Sequence, residues 1–292
     1  MKKTTLMILV ALAVAGIAQA DRMVDETRPL AADGRVEISN ISGKIEIIGW
    51  SGDGVSITGK LEDGVEELAI SSSGSRLSIE VELERRTRNN GSAYLTIKVP
   101  KNASLEIETV SANISVDGVM GELELESVSG RVEVSGETHS VEASSVSGDV
   151  IATSTSGSSE LESVSGNIIV RRATGRLDAN VVSGNIEVEG GDLDSFDAET
   201  VSGSIFCGAS PTDRGRFTIE TMSGTVEMVV SSDISADFYI ETYSGSIKND
   251  IGPEPKRTDK YAPGKELRFT AGSGSAKISI ESFSGSVKLR TN

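Results

Sequence analysis

A serine–glycine pair returns along this chain at a nearly constant interval. Val128-Ser129-Gly130, Val146-Ser147-Gly148, Val164-Ser165-Gly166 and Val182-Ser183-Gly184 stand 18 residues apart. The interval stretches slightly at Val201-Ser202-Gly203, Met222-Ser223-Gly224 and Tyr243-Ser244-Gly245, and the pattern returns at Phe283-Ser284-Gly285. Val110-Ser111-Ala112 is an early member without the glycine. A fixed short period means one small unit stacked on its neighbours. It favours a long repetitive surface over a single catalytic pocket.

Within one unit, Glu122-Leu123-Glu124-Leu125-Glu126-Ser127 alternates polar and apolar residues, the period of a half-buried strand. Val128-Ser129-Gly130 interrupts it, Arg131-Val132-Glu133-Val134 resumes it, and Ser135-Gly136-Glu137-Thr138 reads as a turn. Aligned units give columns expected to point inward. Two precede the bend, from Leu105, Leu123 and Val141 through Phe217 and Phe238 to Ile278, and from Ile107 and Leu125 through Ile240 to Ile280. A third is the bend column itself: Val110, Val128, Val146, Val164, Val182, Val201, Met222, Tyr243 and Phe283. Two more follow, headed by Ile114 and Val116. Agreement of this kind between units predicts an all-β fold, a parallel β-solenoid (β-helix) of about 18–21 residues per coil. The turn glycines Gly130, Gly148, Gly166, Gly184, Gly203, Gly224, Gly245 and Gly285 are expected to take a positive φ.

The solenoid is expected as one domain over residues 34–292. Residues 34–100 form irregular N-terminal coils or a cap, and residues 101–292 are regular repeats with a loop at 249–265. Strands are expected near Gly54–Ile57, Leu77–Leu83 and Ala93–Val99, with a basic hairpin turn from Arg85 to Gly91. Nine of the eleven aromatic residues lie beyond position 190, which with the longer coils implies a wider cross-section there.

Ahead of the repeats, Lys2 and Lys3 precede an apolar run from Leu6 to Ile17 and a small-x-small site, Ala18-Gln19-Ala20. This is a signal-peptide pattern over residues 1–20, followed by a flexible leader at 21–33. The expected location is periplasmic, extracellular or at the cell surface. No later segment reads as a membrane span. Removing Lys2 and Lys3 leaves 26 basic residues against 44 acidic ones, a net charge of −18. Such a balance argues against nucleic acid as a partner. Cys207 is the only cysteine and falls on an inward column, so it is expected to be buried.

Outward residues before the bend are acidic in register. One column contains Glu106, Glu124, Glu142, Glu160, Asp178 and Asp197. The next is Glu108, Glu126, Ser144, Glu162, Asn180, Glu199, Glu220 and Glu241, with Glu281 in the last coil. Neighbouring charges about 5 Å apart repel by roughly 1 kcal/mol even in water. The face is therefore expected to gather cations or basic segments. Glu106, Glu124, Glu126, Glu160 and Glu162 are the candidate partner contacts, and Glu124, Glu126, Glu142, Glu160 and Glu162 the weak candidates for divalent cations. On the face after the bend, Ile151, Ile169 and Phe206 are outward apolar residues and further contact candidates. No catalytic constellation or cofactor site stands out: His139, the only histidine, falls in a turn, and the serines recur with the repeat.

The repeated [Val/Ile]-Ser-Gly-x-[Ile/Val]-x-Val unit, entered through Val99-Pro100-Lys101-Asn102-Ala103-Ser104-Leu105, resembles the bacterial putative-adhesin β-solenoid family over about residues 34–292. The resemblance implies an exported, non-enzymatic β-solenoid connected with the cell envelope, and it carries no catalytic residues. The expectation is a binding, adhesin-like or scaffolding module, its partner an envelope protein, a cationic peptide or a surface ligand. The rivals are a carbohydrate-active β-helix lyase or hydrolase and a self-associating structural rod.

Overall fold

A computed structural model describes residues 21–84, 91–258 and 263–292. The apolar leader at 1–20 and the tip of the basic hairpin at 85–90 lie outside the described residues. Among the described residues the chain is all strand, turn and bend, with no helix long and apolar enough to cross a membrane.

The strands stack in parallel, and the register is the one the repeat predicts. Leu123 lies beside Leu105 on one side and Val141 on the other, and the column continues through Ser159, Leu177, Phe196 and Phe217. After the bend, Val132 lies between Ile114 and Val150, and the stack continues through Ile168, Ile186 and Ile205. Each coil therefore adds one strand to each of two parallel ladders, with the apolar core enclosed between them. The extra residues of the longer coils are absorbed at one corner. Leu193 and Ser195 pair with Gly175 and Arg176, so Asp194 is the additional residue, and 212–215 loop out at the same place one coil later.

Order in space departs from order in sequence at both ends. Arg35–Trp50 is a complete coil that stacks directly on Ser104–Asp117. The chain then leaves to build a cap: Arg76–Leu83 and Ala93–Pro100 run parallel to the outer side of that coil. Val65–Ser73 and Val55–Leu61 cover these two strands in antiparallel fashion. The leader expected to be flexible at 21–33 is corrected here: Arg22–Arg28 is a strand paired antiparallel with Val55–Leu61. At the other end the last strand, Ala276–Thr291, inserts between Ser210–Val230 and Ala236–Asn249. Lys265–Ala271 then pairs antiparallel with Ala236–Asn249 and closes the stack, burying Leu267. Antiparallel covers at both ends protect the parallel edges from pairing with other chains.

Two inward expectations change at the bend. The column Val110 to Phe283 faces solvent, each side chain 45–63% exposed. Alternation simply runs on: the residue before each valine turns inward instead. Thr109, Ser127, Ser145, Ser163, Thr200, Thr221, Thr242 and Ser282 are buried. In the regular rungs, from Thr109 to Ser163, small hydroxyl residues suit the inside of the corner because they supply the bonds that turn it. The Ser145 hydroxyl donates to the Gly130 carbonyl (3.0 Å) and accepts from the Gly148 N–H (2.9 Å), and Ser163 repeats the arrangement with Gly148 and Gly166.

The glycines are there for a different reason from the one expected. Gly130, Gly148, Gly166, Gly184, Gly245 and Gly285 do not take a positive φ; Gly203 (φ 159°) and Gly224 (φ 157°) do, though both are close to fully extended. A Cβ at Gly148 would instead lie 2.0 Å from the Gly130 carbonyl oxygen, and one at Gly166 2.0 Å from that of Gly148. The same overlap, 1.7–2.1 Å, recurs at Gly130, Gly184, Gly203, Gly224, Gly245 and Gly285. Backbone packs on backbone at this corner, so no side chain fits. Just beyond it, side-chain amides cross-link the rungs: Asn167 Oδ1 accepts the Asn185 N–H (3.0 Å), and Asn185 Oδ1 accepts the Ser204 N–H (2.9 Å). In the preceding rung Asp149 makes the equivalent link, and the bond from the Asn167 N–H holds its carboxyl below the usual range.

Candidate binding face

The outer surface of the strand before the bend carries three columns, each advancing about 4.8 Å per rung. The first is acidic and partly neutralised. Glu106, Glu124, Glu142 and Glu160 stack in register, and Asp178 and Asp197 continue the line. Arg35 from the first coil sits 2.6 Å from Glu106 and 3.6 Å from Glu124, and Arg176 lies 2.8 Å from Asp178. Bonding to Glu106 raises the Arg35 pKa further, and bonding to Asp178 does the same for Arg176.

The second column is bare and mostly acidic, with Ser144 and Asn180 interrupting it at alternate rungs. Among the described residues, the carboxylates of Glu108, Glu126, Glu162, Glu199, Glu220 and Glu281 take part in no ion pair. Glu220, Glu281 and Glu241 are consecutive in space because of the inserted last strand.

The third column is apolar, and it is the element that sequence reasoning placed in the core. From the N-terminal end it runs Ile41, Val110, Val128, Val146, Val164, Val182, Val201, Met222, Phe283 and Tyr243, all exposed. The Phe283 and Tyr243 rings are stacked, with centroids 4.9 Å apart and planes within 5°. Strict alternation through the bend was the signal that could have placed this column outside. Between the second and third columns the surface is hollowed, with cavities of about 380 Å³ at Glu199, Met222, Tyr243 and Phe283 and about 410 Å³ at Ser144, Val146, Val164 and Val182.

The remaining candidates fall as follows. Ile151 and Ile169 are neighbours in adjacent rungs and half-buried, while Phe206 is separated from Ile169 by Glu187. The metal candidates Glu124, Glu126, Glu142, Glu160 and Glu162 lie along lines and do not converge on a point. No group of three or more acidic, histidine or cysteine side chains is placed to hold a metal among the described residues. His139 is exposed. Cys207 is fully buried, and burial pushes its thiol up to about 12.

No curated protein matches the chain. Among solved structures, the chain is similar to a protein described as a putative adhesin from Bacteroides fragilis, at 10% identity and a TM-score of 0.37, covering 92% of this chain and 97% of that one. It is similar to another so described from Parabacteroides distasonis, at 8% identity and a TM-score of 0.35, covering 93% and 97%. A putative cell adhesion protein from Clostridium sporogenes matches at 11% identity and a TM-score of 0.24, covering 93% and 100%. The Toastrack DUF4097 family profile matches residues 34–210, and the same rung architecture continues beyond the match to residue 291. The chain belongs to the Toastrack DUF4097 family.

Proposed function

We propose that this chain is an exported, non-enzymatic binding or scaffolding module of the bacterial cell envelope, adhesin-like in presenting one long face to its partner. The observation that carries the reading is the pair of carboxylate columns held in register along that face. A rigid β-solenoid keeps these charges at fixed spacing, where a flexible acidic tail would let them spread apart. Their partner is a basic protein segment or cationic peptide. The attraction is electrostatic and weakens with salt, as it does for exposed charges in general.

Reversal of Glu124, Glu126, Glu160 and Glu162 to lysine tests it. All four are exposed, so the circular dichroism spectrum should stay unchanged. Binding of an immobilised lysine-rich peptide at low ionic strength should weaken at least about tenfold, summing a few tenths to 1 kcal/mol per exposed charge contact. Binding that survives the four reversals removes this face from consideration.

A further inference from the structure

We infer that the apolar column and the bare glutamate column beside it form a docking groove for a basic amphipathic α-helix presented by a partner. The inference rests on the acidic-face reading above and names the chemistry that face would recognise.

Ordinary surfaces expose large apolar side chains singly. Here ten of the twelve exposed large apolar residues among the described residues stand in one column. Nine intervals at about 4.8 Å make that column roughly 43 Å long. The wall facing it is the unpaired column that includes Glu199, Glu220 and Glu281. A surface that is apolar on one side and uncompensated negative on the other complements a helix with one apolar stripe flanked by lysine or arginine.

The rungs beneath the aromatic end also differ inside from the regular ones. The Thr200, Thr221, Thr242 and Ser282 hydroxyls are buried and have no hydrogen-bond partner. In the regular rungs, Ser145 and Ser163 use theirs to close the bend. Toward the C-terminal end the strand passes through the bend without interruption, as in Ser210–Val230, and the hydroxyls are left over. These hydroxyls turn into the core, on the far side of the sheet from the groove, in the same rungs that carry the bulkiest apolar residues, Met222, Phe283 and Tyr243.

Geometry selects a helix. Every rung in the stack already commits its backbone groups to the rungs either side, so a ligand on this face must satisfy its own backbone. One helical turn rises 5.4 Å against about 4.8 Å per rung, so three or four turns stay nearly in step before the mismatch matters. The bare glutamate column and the apolar column are two residue steps apart, roughly 7 Å, so a helix of 10–12 Å diameter lies over both rows, its apolar stripe on the valines and its basic flank on the glutamates. A second copy of the chain would bring acidic columns against each other, and an anionic lipid surface would meet the same repulsion.

The test uses two fluorescent 18-residue peptides of identical leucine and lysine content. One has leucines at helical i, i+3, i+4, i+7 spacing; its isomer has them scattered around the helix. The full chain and its Met222→Ser/Tyr243→Ser/Phe283→Ser variant are titrated with each. The amphipathic peptide should bind at least tenfold tighter than its isomer and gain helical circular dichroism on binding, and the variant should erase the difference. A Val164→Ser/Val182→Ser variant gives the same readout should the triple variant fail to fold. Equal binding of both peptides, untouched by these substitutions, overturns the groove and leaves the acidic-face reading standing. No binding of either peptide at low salt ends both. A concentration-dependent dimer that the substitutions abolish would assign the column to a second copy and also overturn the proposal.

Discussion

Gly166→Ala is expected to destabilise the protein by about 3 kcal/mol or more, at or above the upper end of the usual cost of forcing an extra methyl into a packed site. The added Cβ would lie 2.0 Å from the Gly148 carbonyl oxygen and 2.5 Å from its carbon. Neither atom can swing away, because both are backbone. Relief requires the two rungs to part by more than 1 Å, and bonds across this junction hold them together. The Ser165 N–H donates to the Val146 carbonyl at 2.9 Å, and the Ser163 hydroxyl donates to the Gly148 carbonyl at 3.2 Å. Gly208→Ala is the matched control: its nearest contact would be 3.4 Å, with the Phe206 ring, and its φ is not positive. Thermal melting of the two variants should separate them clearly, with Gly208→Ala close to wild type. Similar midpoints would mean that the carbonyl stack at the corner is looser than described.

Phe217→Ala should cost about 3–5 kcal/mol, the range for removing a buried aromatic side chain. Phe217 is fully buried and meets Phe196 edge to face, with centroids 5.5 Å apart and planes at 81°. Its neighbour on the other side is Ile278 from the inserted last strand. The cavity therefore opens where the C-terminal coils join the regular stack. In a solenoid each rung is supported chiefly by its neighbours, so the loss should be felt first in the C-terminal coils. Limited proteolysis should release fragments cut beyond about residue 210 while the earlier rungs persist. Uniform loss of protection along the whole chain would contradict a stack whose units depend on adjacent units.

That junction also marks where the sequence stops being legible. The 18-residue period is enough to align Leu123 with Val141 and Val132 with Val150, because one face of each strand must be apolar and the alternation leaves one register. It carries no instruction about which rung lies next to which. Val287 completes a column equally well beyond Ile247 or between Val226 and Ile247, and the structure takes the second arrangement. The first coil is equally ambiguous, since Ile38 and Ile45 match the repeat while the residues that follow build a cap. The bend valines were misplaced for another reason. Val128 is apolar and Ser127 is polar, and composition suggests that the first is inside. At a tight corner the inside has room for a hydroxyl that bonds the turning backbone, and the larger side chain must leave. The acidic columns needed only the register and were readable throughout. The groove beside them was not, since one of its walls had been counted as core.

Thiol accessibility at the bend tests this register most directly. The native chain offers a silent background, because Cys207 is fully buried and its thiol is pushed up to about 12. Single cysteines at Ser163 and Val164 then report which of two adjacent residues faces water. Val164→Cys should react with a charged thiol reagent at nearly the rate of an unfolded peptide, and Ser163→Cys at least a hundredfold more slowly. The opposite order of reactivity would return the valine column to the interior and leave the rod without its apolar stripe.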